Sequence, residues 1–241
     1  MNIAILSDIH ANLEAFSAVI ADIDERRLDQ VVCLGDLIGY GPDPDEVVRL
    51  FRQKGYISVR GNHEAVLSDR SLLRRFNFLA KENSEATEKM LSWENRVFCQ
   101  NFPASFELNG AVFVHGFPPD SSFLYINRLS EDKICSFLAK TEYELFFVGH
   151  THTLQVYCWD GKQLTKQRVF EHNYLLKKGY KYIVNAGSVG QPRDGDNRAK
   201  YLIWDTGNRC LEIVRIQYDY KRTAKKIIDR GFPSEYAFRL G

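Results

Sequence analysis

The sequence predicts an α/β fold in which two mixed β-sheets stack face to face with helices outside them. The first half of the chain alternates short apolar runs with helical patterns, which is typical of a parallel sheet covered by helices. The second half carries mostly strand patterns, with hairpin signals at Asn109-Gly110 and Asp160-Gly161. Together these patterns predict a four-layer arrangement of helix, sheet, sheet and helix.

The elements of the first half follow from the spacing of their apolar residues. Strands and helices alternate over residues 3–6, 12–27, 31–34, 45–53 and 56–59. Residues 71–98 are mostly polar, with apolar side chains at helical spacing, and this predicts helices. These helices either pack against the sheet or form a small cap.

The second half supplies the remaining strands and two helices. Strands are predicted at residues 111–114, 145–148, 154–159, 163–170, 182–184, 199–204 and 210–217, and helices at 130–140 and 220–230. No Pro/Gly/Ser-rich linker or internal repeat interrupts the chain. We therefore expect residues 1–241 to form a single domain, which is within the range for α/β folds.

Composition excludes several classes of function. The 32 Lys and Arg residues nearly balance the 31 Asp and Glu residues, so no global positive field recruits a nucleic-acid polymer. No apolar run reaches membrane-spanning length, and the first residues lack the basic leader of a secretory signal. Five scattered cysteines without CxxC spacing argue against a disulfide framework and a cysteine zinc site. We expect a cytoplasmic protein without a membrane partner.

Six apolar runs end in polar residues of one restricted chemistry. The residues at these six ends are Ser7, Asp8 and His10; Gly35 and Asp36; Gly61, Asn62, His63 and Glu64; His115; Gly149, His150, Thr151 and His152; and Asn185, Gly187 and Ser188. Because the carboxyl ends of strands in open α/β sheets converge on one crevice, these distant residues are expected to share a pocket.

The chemistry of this pocket points to metal binding. Carboxylate, imidazole and amide oxygen ligands suit manganese or iron in the first place, with zinc as the alternative. The set exceeds what one ion needs and would serve two ions that share a bridging carboxylate. Gly35, Gly61 and Gly149 each precede a candidate ligand, where a missing Cβ permits tight turns and close approach.

Five motifs resemble those of the calcineurin-like metallophosphoesterase family. They are SDIH at residues 7–10, GD at 35–36, GNHE at 61–64, VHG at 114–116 and GHTH at 149–152. The loops GYGP at 39–42 and NAGSVGQPRDGD at 185–196, with the closing GFPSEYAFRL, look like a bacterial subgroup related to diadenosine tetraphosphatases and protein phosphatases. The resemblance covers nearly the whole chain.

The resemblance implies a role for each matching residue. Asp8, His10 and His152 would bind one metal, Asp36 would bridge, and Asn62, His115 and His150 would complete the shell of the second metal. His63 would stand beside the leaving-group oxygen as proton donor or charge stabiliser, with Glu64 orienting it. The family resemblance also places Tyr40 and Arg193 at the substrate-binding rim, while Asn12 either contacts substrate or caps a helix.

Two residues depart from the family pattern. Glu64 stands where the family usually has Asp, and it is one methylene longer. Phe117 follows the HG of the fourth motif, where a small residue is common, which puts the shape of the substrate pocket in question. His172 belongs to none of the strand ends and is expected to be an ordinary surface residue.

The expected function is hydrolysis of a phosphate ester or anhydride by a metal-activated water. The subgroup-like loops favour a small phosphorylated substrate, first a dinucleoside polyphosphate such as diadenosine tetraphosphate. A phosphodiester, a phosphoprotein and a small monoester are the alternatives. The rival interpretation is a non-catalytic scaffold of the same fold, which commonly loses ligands. This chain retains all seven ligands and His63, which favours an enzyme.

Overall fold

Two six-stranded mixed sheets form the centre of the computed structural model, which describes residues 1–169 and 172–241. The first sheet has the strand order β3 (Ile57–Ser58), β2 (Gln30–Cys33), β1 (Asn2–Leu6), β11 (Ala199–Asp205), β12 (Cys210–Ile216), β9 (Asn173–Leu175). The second has the order β4 (Ser105–Leu108), β5 (Ala111–Val114), β6 (Leu145–Val148), β10 (Lys181–Ala186), β7 (Leu154–Trp159), β8 (Leu164–Arg168).

Each sheet contains three neighbouring parallel strands. In the first sheet β1, β2 and β3 run parallel, and in the second β5, β6 and β10 do. The other strands join antiparallel, including the two hairpins predicted at Asn109-Gly110 and Asp160-Gly161. The parallel strands of both sheets end at the same edge of the molecule. A hydrogen bond from the His150 amide, just after β6, to the Asp8 carboxylate, just after β1, shows that the two sets of strand ends are in contact.

Alternating side chains of the sheets build three apolar layers. Ile3 and Ile5 of β1 face the second sheet, whereas Ala4 and Leu6 pack against the helices on the other side. A third cluster, which includes Phe146, lies between the second sheet and its outer helix. Both faces of the central strands are therefore buried, which explains why these strands are continuous apolar runs.

Helices cover the outer faces of both sheets. They are α1 (Leu13–Arg26), α2 (Pro44–Gln53), α3 (Asn62–Ser68), α4 (Phe78–Met90), α5 (Trp93–Gln100), α6 (Glu131–Lys140), α7 (Tyr220–Asp229) and α8 (Ser234–Phe238). Two 3-10 helices, Arg70–Arg75 and Ile126–Arg128, flank the site described below. Side chains of Asn12, Asn77 and Ser92 accept hydrogen bonds from first-turn amides of α1, α4 and α5, which fixes where these helices begin.

The predicted architecture of two stacked mixed sheets flanked by helices is confirmed. The short elements that were not predicted include the three-residue edge strand β9, the helices α3 and α8, and the 3-10 helix Ile126–Arg128. The strand predicted at 163–170 runs over Leu164–Arg168, and Phe170 lies outside the described residues. None of the helices in the described part of the chain is both long and apolar enough to cross a membrane.

Candidate metal centre and adjoining cavity

The strand ends bring all seven predicted metal ligands and His63 into one buried cluster. The loops that carry the ligands cross closely, and two glycines make this crossing feasible. A Cβ at Gly61 would lie 2.1 Å from Oδ1 of Asp36, and one at Gly149 would lie 1.9 Å from Oγ of Ser7. No side chain fits at either position without moving a neighbour of the site, which supports the predicted reason for these glycines.

Backbone strain is concentrated at the ligands. Five of them have left-handed φ angles between 49° and 66°, which is unusual for residues other than glycine; they are Asp8, His10, Asp36, His150 and His152. Hydrogen bonds between loops hold two of these turns, since the Asp8 amide donates to Gly35 O at 3.1 Å and the His10 amide to Asp36 O at 2.9 Å. The conformation persists because the surrounding backbone fixes it.

The first group of ligands consists of Asp8, His10 and His152. Nε2 of His152 lies 3.3 Å from Oδ1 of Asp8, and Nε2 of His10 lies 3.6 Å from the same oxygen. The two Nε2 atoms are 3.1 Å apart. Oδ2 of Asp8 accepts from the Ser7 hydroxyl and the His150 amide, which fixes the carboxylate and leaves Oδ1 directed at the two rings.

The second group consists of Asp36, His115, His150 and Asn62. Nε2 of His115 lies 3.3 Å from Oδ2 of Asp36 and 3.1 Å from Nδ1 of His150. The amide oxygen Oδ1 of Asn62 is also 3.1 Å from Nε2 of His115. Four candidate ligand atoms from four different segments of the chain, one of them the start of α3, therefore lie close together.

Asp36 belongs to both groups. Its Oδ2 lies 3.7 Å from Nε2 of His10 and 3.3 Å from Nε2 of His115, so the carboxylate stands between the two sets of rings. Burial alone would raise the pKa of Asp36, but the neighbouring His115 ring outweighs this effect and holds the pKa well below its usual range. This position is the one expected of a carboxylate that bridges two cations.

Backbone carbonyls orient three of the imidazoles. Nδ1 of His10 lies 3.0 Å from Ile38 O, Nδ1 of His115 lies 2.7 Å from Leu34 O, and Nδ1 of His152 lies 2.6 Å from Gln191 O. A carbonyl can only accept, so each Nδ1 carries a proton and Nε2 is the ring nitrogen that faces the cluster. This is the orientation that metal-ligating histidines adopt.

The residues present fit a divalent cation pair. Oδ1 of Asp8 is buried and has no hydrogen-bond partner among the described residues. Two carboxylates and several imidazole lone pairs crowd together, and burying such groups without a compensating partner is costly. Carboxylate, imidazole and amide oxygens are also the donors that manganese, iron and zinc accept. A pair of cations would satisfy all of these atoms at once.

Comparison with known proteins agrees with this geometry. The family model described as calcineurin-like phosphoesterase superfamily domain matches residues 1–209. The chain belongs to this superfamily. It is therefore a phosphoesterase, a hydrolase that acts on phosphoester bonds, and the predicted family and enzyme class are confirmed.

Individual relatives of the phosphoesterase cover 90% or more of its length. An uncharacterized protein from Methanocaldococcus jannaschii is 36% identical over 243 residues, covering 99% of this chain and 96% of the relative. A metallophosphoesterase from Sphaerobacter thermophilus has a TM-score of 0.85 and 32% identity, covering 100% of this chain and 98% of that one. A proposed diadenosine tetraphosphatase shares the fold at 16% identity and a TM-score of 0.54, covering 90% and 94%.

His63 lies beside the cluster of predicted metal ligands in the phosphoesterase. Its amide donates to Oδ1 of Asp36 at 3.0 Å, and its ring centroid is 5.2 Å from that of His10. Nε2 of His63 is buried and has no hydrogen-bond partner in the described part of the chain. Burial lowers the pKa of His63 to about 3, so the ring is neutral in the ligand-free site. A free ring nitrogen is thus available to a ligand.

The structure gives Glu64 a different task from the predicted orientation of His63. Its two carboxylate oxygens accept hydrogen bonds from the amides of Asp36, Leu37, Ile38 and Gly61, at 2.8–3.3 Å. Glu64 is the third residue of α3, so it caps that helix and clamps the loop that carries Asp36. Among the described residues, the Glu64 carboxylate makes no hydrogen bond to the His63 ring, so orientation of His63 by Glu64 stays a prediction.

The three predicted substrate-binding residues occupy different places. Tyr40 lies over the cluster, with its ring centroid 4.6 Å from that of His10 and 4.7 Å from that of His63. The guanidinium of Arg193 stands 5.8 Å from the Tyr40 ring, at the edge of the site. Asn12 is buried as the N-cap of α1, which agrees with the second of its two predicted roles.

A cavity of ≈ 400 Å³ opens directly beside the cluster. Two proposed ligands, Asn62 and His150, form part of its wall together with Tyr40. The rest of the wall contains side chains that carry no sequence motif, namely Arg75, Phe76, Asn77, Ala80, Phe123, Tyr125 and Arg128. Part of the segment predicted as helices or cap thus walls the site. Phe117 does not line this cavity; it is buried against Phe137 under the second sheet.

Proposed function

We propose that this phosphoesterase cleaves a phosphate ester or anhydride with a water molecule activated by two divalent cations. The observation that carries the proposal is the placement of Asp36 between two groups of ligands. Its carboxylate would bridge the cations. The remaining ligands would be Asp8, His10 and His152 on one side and Asn62, His115 and His150 on the other.

The protein side chains would divide the remaining work. Two bound cations would supply Lewis-acid polarisation of the phosphoryl oxygens and acidify a water molecule for attack. His63 would donate a hydrogen bond from its free Nε2 to the leaving-group oxygen, and an anionic phosphate beside the ring would favour its protonation. Glu64 would hold the Asp36 loop at a fixed distance from α3. Manganese or iron is the proposed metal, with zinc as the alternative.

The proposed substrate is small and phosphorylated, first a dinucleoside polyphosphate such as diadenosine tetraphosphate. A cavity of ≈ 400 Å³ beside the cluster has the size of a small-molecule site and supports such a ligand. The relative described as a proposed diadenosine tetraphosphatase shares the fold alone, so the choice rests on the cavity and on the resemblance of the loops. A phosphodiester, a small monoester and a phosphoprotein are the alternatives.

The test is hydrolysis of a panel by protein reconstituted with manganese or iron, beside chelator-treated protein. The panel contains diadenosine tetraphosphate, bis-p-nitrophenyl phosphate, p-nitrophenyl phosphate and a phosphopeptide. We expect two metal equivalents per chain by mass spectrometry, turnover only in the loaded protein, and the highest kcat/KM with diadenosine tetraphosphate. A higher kcat/KM with another member of the panel would assign the protein to the substrate class of that member instead. Full metal loading without hydrolysis of any member would favour the scaffold interpretation.

A further inference from the structure

Two exposed arginines stand at the mouth of the cavity on segments that no motif marks. Arg75 ends the 3-10 helix Arg70–Arg75, and Arg128 ends the 3-10 helix Ile126–Arg128. Both line the cavity that also contains Asn62 and His150. The two segments meet over the site, since the rings of Phe76 and Phe123 approach to 6.1 Å.

Aromatic rings connect each arginine with the centre of the site. The guanidinium of Arg128 lies 4.8 Å from the centroid of the Tyr125 ring, and the Tyr125 ring stacks on the His150 ring with their centroids 3.7 Å apart. The guanidinium of Arg75 lies 4.4 Å from the centroid of Phe123. Cation–π contacts of this kind hold a guanidinium in place while leaving its N–H groups free to donate.

The charges around the cavity favour an anion. The lining side chains include two arginines and no carboxylate. Within the described residues, neither Arg75 nor Arg128 has an acidic partner within 4 Å, whereas Arg70 on the same 3-10 helix pairs with Glu88 at 2.7 Å. Arg75 and Arg128 therefore line the cavity without the neutralising partner that Arg70 has. An overall charge of only +1 makes such local attraction necessary for an anionic ligand.

The position of the arginines indicates which part of a substrate they reach. An aromatic ring separates Arg128 from His150, so the guanidinium faces the cavity beyond the proposed cations rather than the cations themselves. We therefore expect a single phosphate at the predicted metal-ligand cluster to leave the N–H donors of Arg75 and Arg128 unpaired. A phosphate one anhydride bond further along a substrate would meet them, and a guanidinium fork matches phosphate oxygens well.

We propose that Arg75 and Arg128 bind the non-reacting phosphate of a substrate that carries at least two adjacent phosphates. This inference rests on the proposed function, because the reacting phosphate is assigned to the metal-ligand cluster. It makes the two arginines determinants of specificity for phosphoanhydrides over simple phosphate esters. They are binding residues and take no part in proton transfer.

The test is equilibrium binding by calorimetry, with the manganese-loaded protein and two probes. The probes are AMP and the α,β-methylene analogue of ADP, which adds one terminal phosphonate group through a non-hydrolysable P–CH₂–P linkage, and binding of both is measured without turnover. We expect Arg75→Gln and Arg128→Gln each to weaken binding of the ADP analogue about 10-fold, the typical loss for charge-assisted hydrogen bonds, and to change AMP binding less than about 2-fold. Arg74→Gln is the matched control, because Arg74 is exposed on the same 3-10 helix and lies outside the cavity wall.

The possible results separate this inference from the proposed function. Equal weakening of both probes, no weakening of either, or failure of the wild-type protein to bind the ADP analogue would each overturn the inference. Melting temperatures of all variants should match the wild type, since both arginines are exposed. If the protein discriminates between the probes but hydrolyses nothing, the inference stands and the proposed function fails. If the protein hydrolyses the aryl diester but the arginine variants affect both probes equally, the proposed function stands and the inference fails.

Discussion

The floor and the wall of the site are built on different principles. The floor consists of the predicted metal-ligand residues, which are buried at strand ends and fixed by hydrogen bonds to backbone groups of other loops. The wall consists of side chains such as Arg75, Tyr125 and Arg128, which stand on short 3-10 helices and loops and are partly or fully exposed. We infer that the predicted metal ligands are held rigidly by the sheets, whereas the substrate contacts lie on surface segments that tolerate sequence changes.

The two regions should also respond differently to substitution. Each left-handed residue of the floor costs about 1 kcal/mol or more, so the floor exists only because its contacts support one another. A change in the floor should therefore affect metal content, stability and turnover together. A change in the wall should affect substrate affinity alone.

The largest expected effect is that of Asp36→Asn. The amide keeps the shape of the side chain but removes the negative charge that the two groups of ligands share. We expect the metal content to fall below two equivalents and kcat to fall at least about 10³-fold. Metal analysis and steady-state kinetics measure the two quantities. Asp132→Asn, on the exposed face of α6, is the control; wild-type loading and turnover in Asp36→Asn would refute the bridging role.

His63→Ala should have the second largest effect and should separate chemistry from metal binding. If His63 assists the leaving group, kcat should fall about 100-fold for an alkyl leaving group, while p-nitrophenolate, which needs little protonation, should suffer much less. Metal content should stay at the wild-type value. The comparison uses matched alkyl and aryl esters, with His172→Ala as an exposed histidine outside the site. Loss of metal in His63→Ala would make His63 a ligand instead.

The floor was predictable from the sequence because its residues follow strands. A short apolar run followed by Asp, Asn or His places a ligand at a known edge of the sheet, as at Asp8 and His150. The glycines before the ligands were predictable for the same reason, since only a missing Cβ allows loops to cross there. Long elements with regular spacing, such as α1, were likewise found close to their observed bounds.

The wall was not predictable, because it depends on which segments meet in space. Arg75 and Arg128 are 53 positions apart and neither lies in a motif. The carbonyls of Leu34, Ile38 and Gln191, which orient three histidines, leave no signal either, because every residue has a backbone carbonyl. Short elements such as β9 are stabilised by their neighbours rather than by their own sequence.

Glu64→Gln tests how the floor is held together. One oxygen of the carboxylate becomes an NH₂ group that cannot accept, so at least one buried amide of the Asp36 loop or of Gly61 loses its partner. We expect the free energy of unfolding to fall by about 2 kcal/mol, the usual penalty for such a loss. Denaturant unfolding of metal-free protein measures this without contribution from metal binding. Glu142→Gln at an exposed position is the control, and unchanged stability would contradict the clamp.

The smallest expected effect is that of Asn12→Ala. This substitution tests whether Asn12 contacts the substrate or has a purely structural role beneath the metal-ligand residues. Oδ1 of Asn12 accepts from the Ala15 amide at 3.0 Å, and Nδ2 donates to Gly190 O at 2.8 Å. Loss of an N-cap costs about 1 kcal/mol of stability. We expect this loss in denaturant unfolding, with KM unchanged for every substrate, and partial recovery in Asn12→Ser, which keeps a capping oxygen. A KM raised several-fold at unchanged stability would instead indicate that Asn12 contacts the substrate. The substrate-binding surface would then include a residue that is buried in the structure.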